Sequence, residues 1–92
     1  MNDNEKWPAP PVLFQELNRM YFHNKLTVKE IKYSYLAKNQ LACTRDDKNR
    51  PHGTEIDPTI YLNLEALQEA NIHTFMRVML HEMIHVYQFN TG

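Results

Sequence analysis

Apolar residues at helical spacing dominate the first part of the chain. They recur every three to four positions from Leu13 to Met20, behind Pro10-Pro11, a pair that suits the first turn of a helix. A helix is therefore expected from residue 10 through Phe22. Asn24 is expected to end it, because Asn tolerates the left-handed backbone conformation that often follows a helix.

A period of two follows and predicts β structure. Glu30 to Leu36 alternates apolar and polar side chains, which is typical of a half-buried strand. Leu41 to Thr44 is the expected hairpin partner of this strand, and Ile60 to Leu62 is a further short candidate. Thr54 to Ile56 is another, ended by Asp57-Pro58. Together these stretches predict a small antiparallel sheet.

The last third of the chain returns to helical spacing in two segments. Asn63 is a good N-cap for a short helix from Leu64 to Ala70, which Asn71 is expected to end. Thr74 then opens a longer helix that runs to about Phe89.

The order of elements and the composition indicate one domain. A helix, a sheet and two further helices give an α+β fold, with a flexible arm at residues 1–9 and a single domain at residues 10–92. The apolar content of 42% is not that of a disordered chain, and the net charge of −1 gives no basic field for direct nucleic-acid binding. No apolar run approaches membrane-spanning length and the N-terminus is not a signal peptide, so a cytoplasmic protein without membrane association is expected.

The single Cys and one charged loop can each be interpreted in two ways. A single Cys excludes an internal disulfide and a four-Cys zinc ribbon. Cys43 is expected to be a small core-facing side chain, with a ligand or nucleophile as the alternative. Arg45, Lys48 and Arg50 suggest a phosphate site, but two Asp residues lie among them, so a solvated loop is the simpler interpretation.

The motif His81-Glu82-Met83-Ile84-His85 carries the chemistry. Two His four residues apart project from one helical face one turn apart, so both imidazoles can reach one cation. Zn²⁺ accepts His nitrogens at about 2.0–2.1 Å and keeps an open position for water in catalytic sites. The Glu between them is placed to act as general base for that water.

The surrounding helix gives the motif one buried and one open side. On a helical wheel the two His lie opposite the centre of an apolar stripe, and Glu82 lies at its border in a partly buried setting. The stripe consists of Phe75, Met76, Met79, Leu80, Met83, Ile84, Val86 and Tyr87. The alternative is that both His are ordinary solvated side chains.

Three stretches resemble a known protein family. They are Leu17-Asn18-Arg19-Met20-Tyr21-Phe22 with the following Lys25-Leu26, then Ile60-Tyr61-Leu62-Asn63, and then Met79-Leu80-His81-Glu82-Met83-Ile84-His85-Val86-Tyr87-Gln88. With the order of elements, they are similar to the SprT-like zinc metalloproteases, the family of bacterial SprT and eukaryotic Spartan. The resemblance covers most of residues 12–90.

The resemblance implies a minimal zincin fold and a hydrolytic reaction. His81 and His85 then bind Zn²⁺, and Glu82 activates water to cleave a peptide bond in a protein or peptide substrate. By resemblance alone, proteins attached to DNA are one substrate class.

The resemblance also suggests a substrate-binding strand. Ile60, Tyr61 and Leu62 are expected to form the edge strand beside the cleft, where an extended substrate pairs through main-chain hydrogen bonds. The alternative is that this strand only completes the sheet.

One ligand of the family pattern has no counterpart after the motif. In the family a third His follows further downstream, whereas this chain ends seven residues after His85. His73 lies roughly 12 Å before His81 along a continuous helix, too far to share the ion. His52 and His23 remain as candidates, each with a surface His as the alternative. Three interpretations follow. The chain is a truncated domain, a partner completes its metal site, or the site has lost its metal function.

The missing ligand keeps a second function open. A catalytically incomplete SprT-like scaffold would act as a protein-interaction or regulatory module. It would bind a protein partner through its cleft, its edge strand or the aromatic residues Tyr33, Tyr35 and Tyr61. A nucleic-acid-binding domain is a third interpretation, against which the near-neutral charge argues.

Overall fold

Three helices and one three-stranded sheet make up the described part of the protein. The computed structural model describes residues 9–36, 40–46 and 57–91. In chain order the elements are α1 (Pro10–Tyr21), β1 (Glu30–Tyr33), β2 (Ala42–Arg45), β3 (Thr59–Leu62), α2 (Leu64–Gln68) and α3 (Ile72–Asn90). The predicted α+β class is confirmed. Most of the predicted N-terminal arm and the predicted strand at Thr54 to Ile56 lie outside the described residues.

α1 begins and ends close to the predicted residues. Two prolines occupy its first turn. After its last residue the backbone is left-handed at His23 (φ 55°) and at Asn24 (φ 61°), where the prediction placed the stop. The buried side chain of Asn18 then accepts the N–H of Leu26 at 3.1 Å and donates to its carbonyl at 3.0 Å. This amide turns the chain from α1 towards β1.

The sheet differs from the prediction in its strand order. β3 lies in the centre, paired in parallel with β1 and antiparallel with β2. The predicted hairpin between β1 and β2, the purely antiparallel sheet and the edge position of Ile60 to Leu62 are therefore wrong. Alternation shows that a segment is a strand but does not show which strands pair. The uninterrupted apolar run in β3 is typical of a strand buried on both faces, and all four of its residues are buried.

Two helices cover one face of the sheet. α3 packs against β2, and α1 packs against β1 and α3. The hydrophobic core consists of Leu13, Phe14, Leu17, Leu26, Ala42, Ile60, Leu62, Leu67, Phe75, Met79, Met83 and Val86. Because β2 lies against α3, this strand is the one beside the motif helix.

Asn side chains cap both C-terminal helices. The Asn63 side chain accepts the N–H of Ala66 at 3.4 Å, as predicted for the N-cap of α2. The Asn71 side chain accepts the N–H of Thr74 at 2.9 Å. Asn71 therefore caps α3 instead of ending α2, and α3 begins two residues before the predicted start at Thr74.

Hydrogen bonds also fix the far end of α3. The Asn90 side chain accepts the Thr27 N–H at 2.9 Å and donates to the Thr27 carbonyl at 3.0 Å. The Thr27 hydroxyl donates to Asp57 at 2.5 Å. Across the described ranges, none of the helices combines the length and the apolarity needed to cross a membrane.

Candidate metal and catalytic site

α3 carries both His residues of the motif on its open side. Their ring centroids are 4.9 Å apart and their ring planes are nearly perpendicular, at 83°. His81 is exposed and His85 is half-buried, whereas Met79 and Met83 on the other side of the helix are fully buried. The two imidazoles are thus adjacent on one side of α3, an arrangement that suits two ligands of one cation.

The apolar stripe of α3 is narrower than predicted. Ile84 and Tyr87 belong to the predicted stripe, yet they are 51% and 54% exposed. Only the side of α3 that faces the sheet and α1 is fully covered in the described structure, since three strands and one neighbouring helix cannot surround it.

Gln88 fixes the orientation of one imidazole. Its side-chain oxygen lies 3.1 Å from Nδ1 of His85, three residues earlier on α3. With Nδ1–H as the donor, Nε2 is left unprotonated and available to a metal. The sequence prediction did not assign this role to Gln88, although the three-residue spacing on one helix face was a usable signal.

Glu82 is more deeply buried than predicted. Only 5% of its surface is exposed, whereas the sequence predicted a partly buried side chain at the border of the apolar stripe. The Thr44 hydroxyl, on β2, donates to Glu82 Oε1 at 2.7 Å and lies 3.3 Å from the Glu82 carbonyl oxygen. This hydrogen bond offsets part of the cost of burying a carboxylate. Thr44 was missed because its contact with Glu82 depends on how β2 packs against α3.

The donor set fits a metal only in part. Two imidazole nitrogens supply two of the ligands of a catalytic zinc site, which usually has three protein ligands. Among residues 9–36, 40–46 and 57–91, no group of three or more His, Cys, Asp or Glu side chains is placed to hold a metal ion. His23 therefore does not join the pair, and His52 lies outside the described residues. His73 is exposed, in the first turn of α3 and about two turns before His81.

The three residues predicted to bind substrate lie in the middle of the sheet. Ile60 and Leu62 are fully buried in the core, and Tyr61 is 8% exposed. Because β3 has a partner strand on each side, its backbone has no open edge for another strand. The main-chain pairing predicted for these residues therefore has no basis in this fold.

Tyr61 instead packs between two cations on the sheet face opposite the helices. Lys32 Nζ lies 5.4 Å and Arg45 Cζ 4.9 Å from the centroid of its ring. These distances are within the range of cation–π contacts. Arg45, a candidate for phosphate binding, is thus engaged with a ring, and Lys48 and Arg50 lie outside the described residues.

The open edge beside α3 belongs to β2. The Asn63 N–H donates to the Leu41 carbonyl at 2.9 Å, which makes these two residues a hydrogen-bonded pair in the antiparallel register of β2 and β3. Such pairs alternate along the strands, so the N–H and C=O groups of Ala42 and Thr44 point away from β3. Within the described residues, no strand pairs with this outer edge.

A groove of about 350 Å³ lies at the carboxyl ends of β1 and β3. Its lining residues are Tyr33, Ser34, Tyr35, Asn63, Leu64 and Glu65. Tyr35 is 88% exposed. Tyr33 is half exposed, and desolvation raises the pKa of its phenol above the ordinary value. Tyr61 is not part of the lining, so the three predicted tyrosines do not form one surface.

Comparisons with known proteins add nothing to the geometry. No family model matches the chain, and neither a curated protein nor a solved structure matches it. The resemblance to SprT-like proteases therefore stays a prediction, and the functional argument depends on the site itself.

Proposed function

We propose that this protein is a zinc-dependent peptidase of SprT-like type, or the core of one. The observation that supports the proposal most strongly is the contrast between the two His residues and the Glu within one helical turn. His81 and His85 are open to solvent on the same side of α3, and Glu82 between them is buried and oriented by a hydroxyl of the neighbouring strand. Solvated surface His residues need no such arrangement around the intervening carboxylate.

Each residue has a distinct role in this proposal. His81 and His85 hold the metal, with a further ligand from outside the described residues or from a partner. When bound, Zn²⁺ supplies Lewis-acid polarisation of the scissile carbonyl and stabilisation of its developing negative charge. Glu82 accepts the proton of the attacking water and returns it to the leaving nitrogen.

The substrate is proposed to be a protein segment in extended conformation. The outward N–H and C=O groups of Ala42 and Thr44 offer main-chain hydrogen bonds to such a segment along β2. This assigns substrate pairing to the edge strand beside α3 in place of β3. Proteins attached to DNA are the narrower substrate class that the family resemblance suggests.

Replacing the general base tests the function. Purified protein is expected to hold close to one zinc per chain and to cleave an unstructured protein such as casein. Glu82→Gln is expected to keep the zinc and to lower the cleavage rate at least about 100-fold, because it removes the proton acceptor and leaves both His ligands in place. Metal analysis and the rate of peptide release measure the two effects.

Glu65→Gln is the matched control. It makes the same chemical change at an exposed position of α2 and is expected to cleave at the wild-type rate. Undiminished cleavage by Glu82→Gln, or zinc-loaded wild-type protein that cleaves nothing, would exclude the peptidase.

The Tyr-lined groove favours a second candidate, a non-enzymatic protein-interaction module. Tyr33, Tyr35 and Leu64 expose apolar surface around one concavity, and such surfaces often mark protein contacts. The melting temperature separates the two functions. Zinc that binds the native state must raise it, whereas a module without a metal function melts at the same temperature with and without zinc.

A further inference from the structure

Thr44 occupies two parts of the proposed site at once. Its backbone lies on the open edge of β2, and its side chain crosses to α3 and bonds the Glu82 carboxylate at 2.7 Å. Within the part of the chain that the structure describes, no other side chain bonds this carboxylate. The orientation of Glu82 therefore depends on one hydroxyl from another element.

A general base needs this kind of restraint. A Glu side chain has three rotatable bonds, and a small misplacement of a reacting group lowers a rate steeply. The Thr44 hydroxyl bonds Oε1, which leaves Oε2 to accept a proton from water. The 5% exposure of Glu82 shows that packing also restricts the side chain, and the hydrogen bond from Thr44 adds a directional restraint on the carboxylate.

The backbone of the same residue faces the opposite way. Thr44 is paired with Ile60 in the register of β2 and β3, at a position whose N–H and C=O point away from β3. A peptide that pairs with β2 would therefore bond the main chain of the residue whose side chain holds the base. One residue then sets the distance between the scissile bond and Glu82.

We propose that Thr44 is a positioning residue that fixes the Glu82 carboxylate relative to a peptide paired with β2. The inference rests on the proposed peptidase function for its catalytic consequence. The restraint on Glu82 itself does not need activity to be measured.

The direct test measures the Glu82 side chain in solution. Three-bond NMR couplings across its χ1 and χ2 bonds are recorded for the wild type, Thr44→Val and Thr44→Ser. Val keeps the shape of Thr without the hydroxyl, and Ser keeps the hydroxyl. A single rotamer is expected in the wild type and in Thr44→Ser, and rotamer averaging in Thr44→Val.

Kinetics test the catalytic consequence. Thr44→Val is expected to lower kcat about 10- to 100-fold with KM unchanged, because backbone pairing along β2 is kept while the base is misplaced. Thr44→Ser is expected to restore most of kcat, and all three proteins should hold the same amount of zinc. A merely structural role for Thr44 would lower the melting temperature without separating kcat from KM.

Several outcomes would overturn the inference. Rotamer averaging of Glu82 in the wild type, or one rotamer in Thr44→Val, would show that the hydroxyl does not hold it. A higher KM with unchanged kcat would show that Thr44 acts on binding alone. If Thr44→Val does not fold, the solvent exchange of the Thr44 hydroxyl proton is measured in the wild type. Slow exchange supports the hydrogen bond from Thr44 to Glu82, and fast exchange contradicts it. A wild type that cleaves nothing would refute the peptidase, and the couplings would still decide whether Thr44 holds Glu82.

Discussion

The two sides of α3 have opposite relations to the rest of the protein. Met83 and Val86 are fully buried in the hydrophobic core, whereas His81, two residues before Met83, is exposed. Met83 and the exposed Ile84 are neighbours in sequence. One step along the helix, about 100° around its axis, therefore leads from the core to solvent. The buried side anchors the helix, and the open side holds the candidate ligands.

This division teaches that stability and metal binding should be separable by substitution. Residues on the buried side contribute free energy of folding, because their apolar surface leaves water. Residues on the open side contribute little to folding and can be specialised for a ligand. Substitutions on the two sides of α3 can therefore test whether the two sides differ in this way.

The largest expected effect is on the buried side. Met83→Ala should lower the free energy of unfolding by about 2–5 kcal/mol, because it removes a fully buried side chain and leaves a cavity. Ile84→Ala is the matched neighbour, since it also shortens an apolar side chain on the same helix, and it should change stability by about 0.5–1 kcal/mol. Urea unfolding measures both. Equal losses would mean that the two sides of α3 are not distinct.

A smaller effect is expected on the open side, and on metal affinity instead of folding. Gln88→Ala should weaken zinc binding about 10- to 100-fold, because the Nδ1 atom of His85 loses its partner and the ring is less well oriented. Competition with a chelator measures the affinity. Gln88→Glu keeps an acceptor oxygen and should therefore retain the zinc affinity. Unchanged zinc affinity in Gln88→Ala would show that Gln88 does not orient the His85 imidazole for the metal.

The smallest effect is expected at the start of α3, which belongs to neither side. Asn71→Ala should lower the free energy of unfolding by about 1 kcal/mol, because the N–H of Thr74 loses its capping acceptor. Asn71→Asp keeps the acceptor and serves as the control in the same thermal unfolding experiment. Zinc affinity should not change in either variant. A loss of affinity in Asn71→Ala would mean that the cap also orders the motif.

Local features of the fold could be predicted from the sequence. The helical spacing around Leu17, the left-handed position at Asn24 and the capping side chain of Asn63 depend on residues within one or two turns. The geometry of His81 and His85 is equally local, because a helix alone places them one turn apart.

Features that depend on distant contacts could not be predicted. The central position of Ile60 and the burial of Glu82 follow from which strands pair and which strand lies against α3. The bond from Thr44 to Glu82 joins residues 38 positions apart, and no spacing rule indicates it. A third metal ligand is in the same class, since it would have to come from another element or another chain.

The strand order also has a consequence for how the chain assembles during synthesis. β1 and β2 precede β3 along the chain, yet among the described strands each pairs only with β3. Neither has a partner until residues 59–62 have left the ribosome, so the sheet cannot begin as a hairpin of β1 and β2. Until then β1 and β2 expose unpaired backbone edges. A nascent chain arrested before residue 59 should therefore be more prone to aggregate than one arrested after the sheet is complete.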